Sequence, residues 1–282
     1  LAPDTRLLVC DGADLELALE WASTRYPGAE VICWSPGPTA PLIELAHARP
    51  AVRSILGWPS FLSMPRPWEL ALAVRMALGL TTELLHVSEL FTGLPVIARY
   101  RPRTTAERDG VVAAIGRLAE RAGATGRAIS RIGEVGHELL MNAMYDAPVN
   151  HYGEPRYAHD RRAAIALDDH ELPTVRLATD GVLLALAVSD PFGRLTRHDV
   201  LAGIRRGQAA LTAADPGHIL DTSHGGAGLG LWKIYASAAA TIVQVIAGHT
   251  TQVIAVFDLD VGPREARQMP TSLHLFDRGA LG

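Results

Sequence analysis

Cysteine is scarce in this chain of 282 residues, which contains two of them. Cys10 and Cys33 lie in separate apolar stretches, and neither has a second cysteine or a histidine at the spacing of a metal-binding motif. We therefore expect neither a zinc site nor a disulfide framework. Both thiols are expected to be small buried residues of the core.

Strong charge bias and long apolar runs are absent as well. The chain has 26 basic and 30 acidic residues, a net charge of -4 and no basic block, so nothing in it predicts contact with nucleic acid or an anionic membrane surface. Its longest apolar run, residues 182–188, is far shorter than the roughly 20 residues that cross a bilayer, and no signal segment opens the chain. We expect a cytoplasmic protein without nucleic-acid or membrane partners. The first residue is leucine rather than methionine, which is compatible with a fragment of a longer protein.

What the chain does have is enough apolar sequence for a large core. Hydrophobic residues make up 48% of it, which is typical of one large domain or two ordinary ones. Residues 5–80 alternate short apolar runs, such as "TRLLVCDGAD" and "AEVICWSPGP", with amphipathic stretches that end in "PWELALAVRMAL". This alternation predicts strands and helices in turn, and therefore a small parallel sheet.

The stretch "SMPRPWELALAVRMAL" makes this N-terminal part similar to a response-regulator receiver domain, because it stands where receivers carry a Lys-Pro pair and their last helix. A receiver needs an aspartate at the end of its third strand, where this sequence has Cys33, Trp34 and Ser35. The lysine before the proline is replaced by Met64. The resemblance implies a degenerate receiver-like domain over residues 1–80 that accepts no phosphate. An unrelated α/β cap is the alternative.

The rest of the chain shows long helices combined with antiparallel strands. Two predicted helices are separated near residues 122–126, and Asp180-Gly181 predicts a hairpin turn between two apolar strands. A glycine-rich loop then leads into another helix, and residues 241–259 predict a second hairpin. We expect an α+β protein in which residues 81–105 link the receiver-like unit to a two-layer α/β sandwich over residues 106–282.

Three short motifs in this second part are candidates for a site. The stretch "HELLMNAMYDAP" places Glu138 and Asn142 one turn apart on the polar edge of an apolar helix. "SDPFG" puts Asp190 at the end of an apolar strand, and "HGGAGLGL" stands before a helix. Taken singly, these can be a solvated helix edge, a turn former and a flexible approach to a helix.

In this order, the motifs resemble the GHKL ATP-binding fold of gyrase-type ATPases, chaperones, histidine kinases and anti-sigma-factor serine kinases. The resemblance covers residues 106–260. It implies that Asn142 is the asparagine that coordinates magnesium and that Asp190 accepts a hydrogen bond from the adenine amino group. It further implies that Gly193 lets the backbone approach the base.

The same resemblance assigns the remaining site residues. Gly226, Gly228 and Gly230 match the glycine-rich box that leads from the ATP lid into a helix, and Thr251 matches a threonine near the adenine. The implied cofactors are ATP and Mg²⁺. Elementary chemistry agrees, because a helix N-terminus with open backbone N–H groups favours phosphate, and magnesium accepts an amide oxygen beside phosphate oxygens.

The sequence also departs from the family pattern. Pro191 stands where asparagine is frequent, Leu195 where a second glycine is frequent, and Tyr145 where kinases usually have a basic residue. These differences predict weaker or altered nucleotide binding. We expect residues 194–224 to form the lid, whose charged side chains are either solvated or close to the γ-phosphate. Those side chains are Arg197, Arg205, Arg206 and His218.

Glu138 favours the serine-kinase branch, because many histidine kinases have asparagine at this position and anti-sigma kinases have glutamate. Glu138 is therefore the predicted catalytic residue, acting as a general base. The expected function is ATP-dependent phosphorylation of a protein partner, with a homodimer possible. The alternatives are a non-catalytic ATP-sensing switch and an atypical histidine kinase that lacks its phosphoacceptor segment, because the upstream candidate His86 is not followed by the Glu or Asp that such acceptors have.

Overall fold

Nine strands of the described chain join in one mixed sheet. The computed structural model describes residues 4–57, 66–80, 83–212, 229–261, 265 and 269–278. The strands are β1 Leu7–Asp11, β2 Glu30–Ser35, β3 Val52–Gly57, β4 Val96–Tyr100, β5 Thr174–Thr179, β6 Leu183–Asp190, β7 Ala240–Ile246, β8 Thr250–Asp258 and β9 Ser272–Arg278. The helices are α1 Leu15–Thr24, α2 Ala40–Ala48, α3 Pro67–Ala77, α4 Thr105–Arg121, α5 Gly126–Met141, α6 Arg197–Thr212 and α7 Leu229–Ser237.

The sheet combines a parallel part with an antiparallel part. Its strand order is β1-β2-β3-β9-β7-β8-β6-β5-β4. Strands β1 to β3 are parallel, and β7, β8, β6, β5 and β4 pair antiparallel in that order. Strand β9 connects the two parts, because it pairs antiparallel with β3 and parallel with β7. The predicted mixed α+β class is therefore confirmed.

The domain boundaries at residues 80 and 105 remain a prediction, but two features of the sheet bear on them. The sheet crosses both boundaries without a break through β9. The stretch 81–105, which we expected to be a linker, contains β4, the edge strand of the antiparallel part. Strand β4 pairs with β5 along its whole length, from Val96 opposite Thr179 to Tyr100 opposite Val175.

Helices cover both faces of the sheet. Apolar side chains of α1, α2, α4, α5, α6 and α7 form the main core against one face. Helix α3 and the short turn Val87–Leu90 cover the other face, where Leu72 and Leu90 pack against small strand residues such as Ala185. No helix in the described part of the chain combines the length and the apolar composition that a membrane span requires.

Local sequence signals explain the elements next to the candidate site. The hairpin at Asp180-Gly181 joins β5 to β6, with Gly181 at φ +90° and the Asp180 carboxylate accepting from the Val182 and Leu183 amides. Gly123, at φ +89°, follows the end of α4, and the Thr125 hydroxyl caps the start of α5. These contacts confirm both predicted chain reversals.

The cysteines lie side by side in the parallel part. Cys10 in β1 is opposite Cys33 in β2, and both are free thiols, the second fully buried and the first partly so. Burial, assisted by Asp14 and Asp11, raises the pKa of the Cys10 thiol to about 11. Burial likewise raises the pKa of Cys33. Met64, the counterpart of the receiver lysine, lies outside the described residues.

A buried polar cluster fixes β9 against α3 and β3. His274 of β9 is fully buried, with its Nε2 3.1 Å from Glu69 Oε1 and its Nδ1 3.0 Å from Ser54 Oγ. Arg66 Nη1 donates to Glu69 Oε2 at 3.1 Å. Burial alone would raise the pKa of Glu69, but the hydrogen bond and charge of His274, together with Arg66, lower it.

We expect Glu69→Gln to destabilise the whole chain, because it removes the carboxylate that contacts buried His274 and leaves the Arg66 charge uncompensated. The loss should be about 3–5 kcal/mol of unfolding free energy.

Four of the five tryptophans precede residue 70, so fluorescence reports the parallel part while circular dichroism reports both parts. Since β9 joins them, the two signals should shift together in urea. The control Glu44→Gln removes an exposed ion pair with Arg205 and should cost at most about 1 kcal/mol. Separate transitions would contradict the single cooperative unit.

Candidate functional site

A cavity of about 280 Å³ opens where β6 ends, between α5, α6 and the start of α7. Both apolar and charged side chains line it. They include Leu139, Asn142, Asp146, Val188, Asp190, Arg194, Leu195, Asp199, Arg206, Leu231, Thr251 and Val253. This volume is near the lower end of the range of small-molecule pockets, about 300–1,000 Å³.

The polar edge of α5 faces this region. Buried Leu139 and Leu140 hold the helix on the sheet, which leaves Glu138 and Asn142 on the side of α7 and the cavity. At Asn142 the helix changes to a π turn over Asn142–Asp146, closed by a 2.9 Å bond from the Ala147 N–H to the Asn142 carbonyl. Such turns are frequent at functional sites. The turn places Asp146 in the cavity wall beside Asn142.

Arg161 lies against this edge. Its Nη2 donates to Asp146 Oδ2 at 3.1 Å and to Asn142 Oδ1 at 3.4 Å. Burial raises the pKa of Asp146 to about 6, Arg161 acts against that rise, and Glu138 adds to it. Asn142, the predicted magnesium ligand, therefore has a cation, Arg161, and a carboxyl group, Asp146, as neighbours.

Glu138 is joined to α7. Lys233 Nζ donates to Glu138 Oε1 at 2.8 Å, and the Glu138 side chain is 13% exposed. Gly230, at the start of α7, has no side chain, and a Cβ there would lie 2.8 Å from Glu138 Oε2 and 3.7 Å from Asn142 Oδ1. The glycine thus allows the N-terminus of α7 to pack directly on the polar edge of α5.

Asp190 and Thr251 form the opposite wall. They are directly opposite in the β6–β8 ladder, and both are buried. Burial raises the pKa of Asp190 to about 6, although hydrogen bonds from the Phe192 and Gly193 amides and from Thr251 act against the rise. Val188 and Val253, which pair two residues further along the same face of β6 and β8, also line the cavity. A buried carboxyl group beside apolar side chains is thus available as a hydrogen-bond acceptor at the end of β6.

Gly193 has a structural reason to be glycine. Its φ is +60°, and a Cβ there would lie 2.2 Å from the Ile246 carbonyl oxygen and 2.6 Å from the His249 amide nitrogen. Only glycine lets this turn pack against the β7–β8 hairpin. Its predicted approach to the base stays a prediction.

The predicted lid is described only in part. His218 of the lid lies outside the described residues, and so do Gly226 and Gly228 of the glycine-rich box. Arg206 lines the cavity. Arg197 and Arg205 are turned toward α2, as Arg197 donates to the Ala46 carbonyl and Arg205 to Glu44.

The chemistry of this donor set fits a magnesium nucleotide. Hard oxygen donors, Asn142 and Asp146, lie beside each other in the wall, and the cations Arg194 and Arg206 line the same space. Asp190 lies in the more apolar part. Magnesium prefers oxygen ligands, and arginine matches phosphate oxygens.

Sequence reasoning missed Asp146, Arg161 and Lys233. Asp146 follows Glu138 and Asn142 at the same four-residue spacing, so helical periodicity could have identified it. Arg161 carries no such signal, because the contact depends on how residues 150–167 fold back on α4 and the π turn. Lys233 could have been suspected from its position one turn after Gly230.

Comparison with known protein families finds no match, and no curated protein matches the chain. Among solved structures, the chain matches the SiaB-SiaC complex from Pseudomonas aeruginosa, at 19% sequence identity and a TM-score of 0.37. The alignment covers 57% of this chain and 88% of the other.

We expect Asp190→Asn to stabilise the protein at neutral pH. Its folded pKa of about 6 exceeds the ordinary 3.8, so the carboxyl group stabilises folding most below pH 3.8 and loses that contribution as pH rises through about 6. At pH 7.5 the buried charge should cost on the order of 1–3 kcal/mol. In thermal unfolding from pH 4 to 8, the variant should have a higher Tm than the wild type at high pH. The difference in Tm should shrink at low pH. The exposed Asp260→Asn should show no such trend. An Asp190 variant that is less stable at pH 7.5 would refute this.

Proposed function

We propose that this chain binds ATP and regulates a protein partner, with phosphorylation of a partner serine as its mechanism. The observation that supports this proposal best is one shared cavity. Elements far apart in sequence bring Asn142, Asp190, Thr251 and Arg206 into its wall, and Gly230 and Glu138 lie at its edge. The predicted magnesium and adenine ligands thus lie on two walls of one space.

Each wall has a distinct task under this proposal. Asp190 and Thr251 would select the base, since a carboxylate accepts from an exocyclic amine in a partly apolar pocket. Asn142, with Asp146 beside it, would hold magnesium, which when bound neutralises phosphate charge. Arg194 and Arg206 line the same cavity and can pair with phosphate oxygens.

Glu138 would act in the transfer step. Its carboxylate takes the proton of the partner serine hydroxyl as the serine oxygen bonds to the γ-phosphorus. The bond from that phosphorus to the β–γ bridging oxygen breaks, and ADP leaves. Lys233 keeps this carboxylate on the side of α7, because its Nζ donates to Glu138 Oε1 at 2.8 Å. A general base of this type contributes typically about 100- to 10,000-fold to the rate.

A non-catalytic ATP-sensing switch is the second candidate. The Glu138–Lys233 ion pair favours it, because a carboxylate that is already paired is a less available base. The histidine-kinase alternative receives less support. His86 caps the short 3₁₀ turn Val87–Leu90 and contacts Ser88 Oγ at 2.6 Å, so within the described residues it does not lie on a long helix.

We expect Asn142→Ala and Asp190→Asn both to weaken ATP binding, for different reasons. The first should lose the magnesium-dependent part, and the second should lose about 1–3 kcal/mol through an unpaired adenine amine. Asp190→Asn should also reduce the preference for ATP over GTP. Calorimetry with and without Mg²⁺ measures both effects, and Asp260→Asn is the exposed control. Unchanged ATP affinity in both variants would remove the nucleotide assignment.

We expect Glu138→Gln to separate the kinase from the switch. The variant should bind ATP as the wild type does, because a base contributes to the chemical step more than to ground-state affinity. It should nevertheless lose about 100-fold or more of labelled-phosphate transfer. Glu134→Gln, exposed one turn earlier on α5, is the matched control and should transfer normally. If wild-type protein binds ATP but labels no protein in cell extract and releases no phosphate, the kinase is excluded and the switch is retained.

A further inference from the structure

A built-in cation lies at the atom to which we assign magnesium. Arg161 Nη2 is 3.4 Å from Asn142 Oδ1 and 3.1 Å from Asp146 Oδ2. The Arg161 side chain is 17% exposed, and its Nε is buried without a hydrogen-bond partner. A guanidinium that is mostly desolvated and incompletely paired has donors left for an anion.

The surrounding structure holds Arg161 in this place. Tyr145 is fully buried, and its hydroxyl donates to the Ala163 carbonyl at 2.8 Å. Thr105 binds Ile165 in both directions, through its hydroxyl at 3.0 Å and its amide at 3.3 Å. The segment that carries Arg161 is thus tied on one side to the π turn and on the other to the start of α4.

These bonds also give Tyr145 a role. The family resemblance places a basic residue at this position, and here the side chain is buried and anchors the neighbouring segment. The positive charge beside Asn142 comes from Arg161, which is remote from Asn142 in sequence.

We infer that Arg161 is a resident cation of the nucleotide site that competes with magnesium at Asn142 and partly replaces it toward the phosphates. This inference rests on the proposed ATP binding. Two cations that share one amide oxygen repel each other, and the repulsion is strong in a partly desolvated cavity. With the guanidinium in place, metal-free ATP already has a cation beside its phosphates. Added magnesium should therefore increase ATP affinity less.

The test is a cycle of ATP affinities, with Mg²⁺ and with EDTA, for the wild type and Arg161→Gln. We expect the wild type to bind metal-free ATP within about tenfold of its magnesium affinity. Arg161→Gln should bind metal-free ATP about 10- to 100-fold more weakly, because an ionised hydrogen bond to phosphate is lost, and magnesium should largely restore its binding. Arg161→Lys should retain part of the metal-free affinity. Arg162→Gln, at the exposed neighbouring position, should behave as the wild type.

Two further measurements keep the outcome decisive. Adenosine has no phosphates, so its affinity should be equal in all variants if the cavity is intact. Arg161→Gln combined with Asp146→Asn removes both charges of the ion pair and serves if the single variant is unstable. Equal loss of ATP affinity with and without Mg²⁺ would overturn the competition, and a variant that gains magnesium-ATP affinity without losing metal-free affinity would overturn the replacement of magnesium toward the phosphates. If the wild type binds no ATP and no adenosine, the proposed function itself is refuted.

Discussion

The packing of α5 is the constraint on which the candidate site depends. The helix buries Ile132, Val135, Leu139 and Leu140 against the sheet, and Gly136 lets α4 approach so closely that a Cβ would lie 2.7 Å from Ile115 Cδ1. This close contact leaves the helix one possible rotation. The edge that carries Glu138 and Asn142 then faces α7 and the cavity, while the edge that carries Arg131 and Glu134 is exposed.

The N-terminal unit is packed directly against elements of the candidate site. Helix α2 contacts α6 through Glu44 with Arg205 and through the rings of His47 and His198, whose centroids are 4.9 Å apart. The Tyr235 hydroxyl of α7 contacts Thr39 at the start of α2. A shift of α6 or α7 must therefore be accommodated by α2. Close-packed interfaces of this kind transmit displacements because they do not deform continuously.

Two residues that depart from the pattern of the ATP-binding fold that this sequence resembles have different surroundings. Leu195 lines the cavity and packs on the main core, so it contributes apolar surface where the family has glycine. Tyr145 is withdrawn from the cavity into the core. Asn142 and Asp190 both line the cavity, and the cation beside Asn142 is Arg161. Comparison of single positions does not reveal this cation, because Arg161 is remote from Asn142 in sequence.

The sequence by itself determined the features that depend on neighbours in the chain. The helical period placed Glu138 and Asn142 on one edge, Asp180-Gly181 determined the β5–β6 turn, and the strand end located Asp190 next to Gly193. These features follow from backbone geometry within a few residues. For the same reason, Asp146 was predictable.

Only the tertiary structure decided which distant groups meet. It inserted β9 between β3 and β7, made part of the expected linker an edge strand, and brought Lys233 to Glu138 and Arg161 to Asn142. Each of these contacts joins segments whose local sequence is compatible with many partners. Their choice depends on burying the whole core at once, and that is a property of the complete chain rather than of any local pattern.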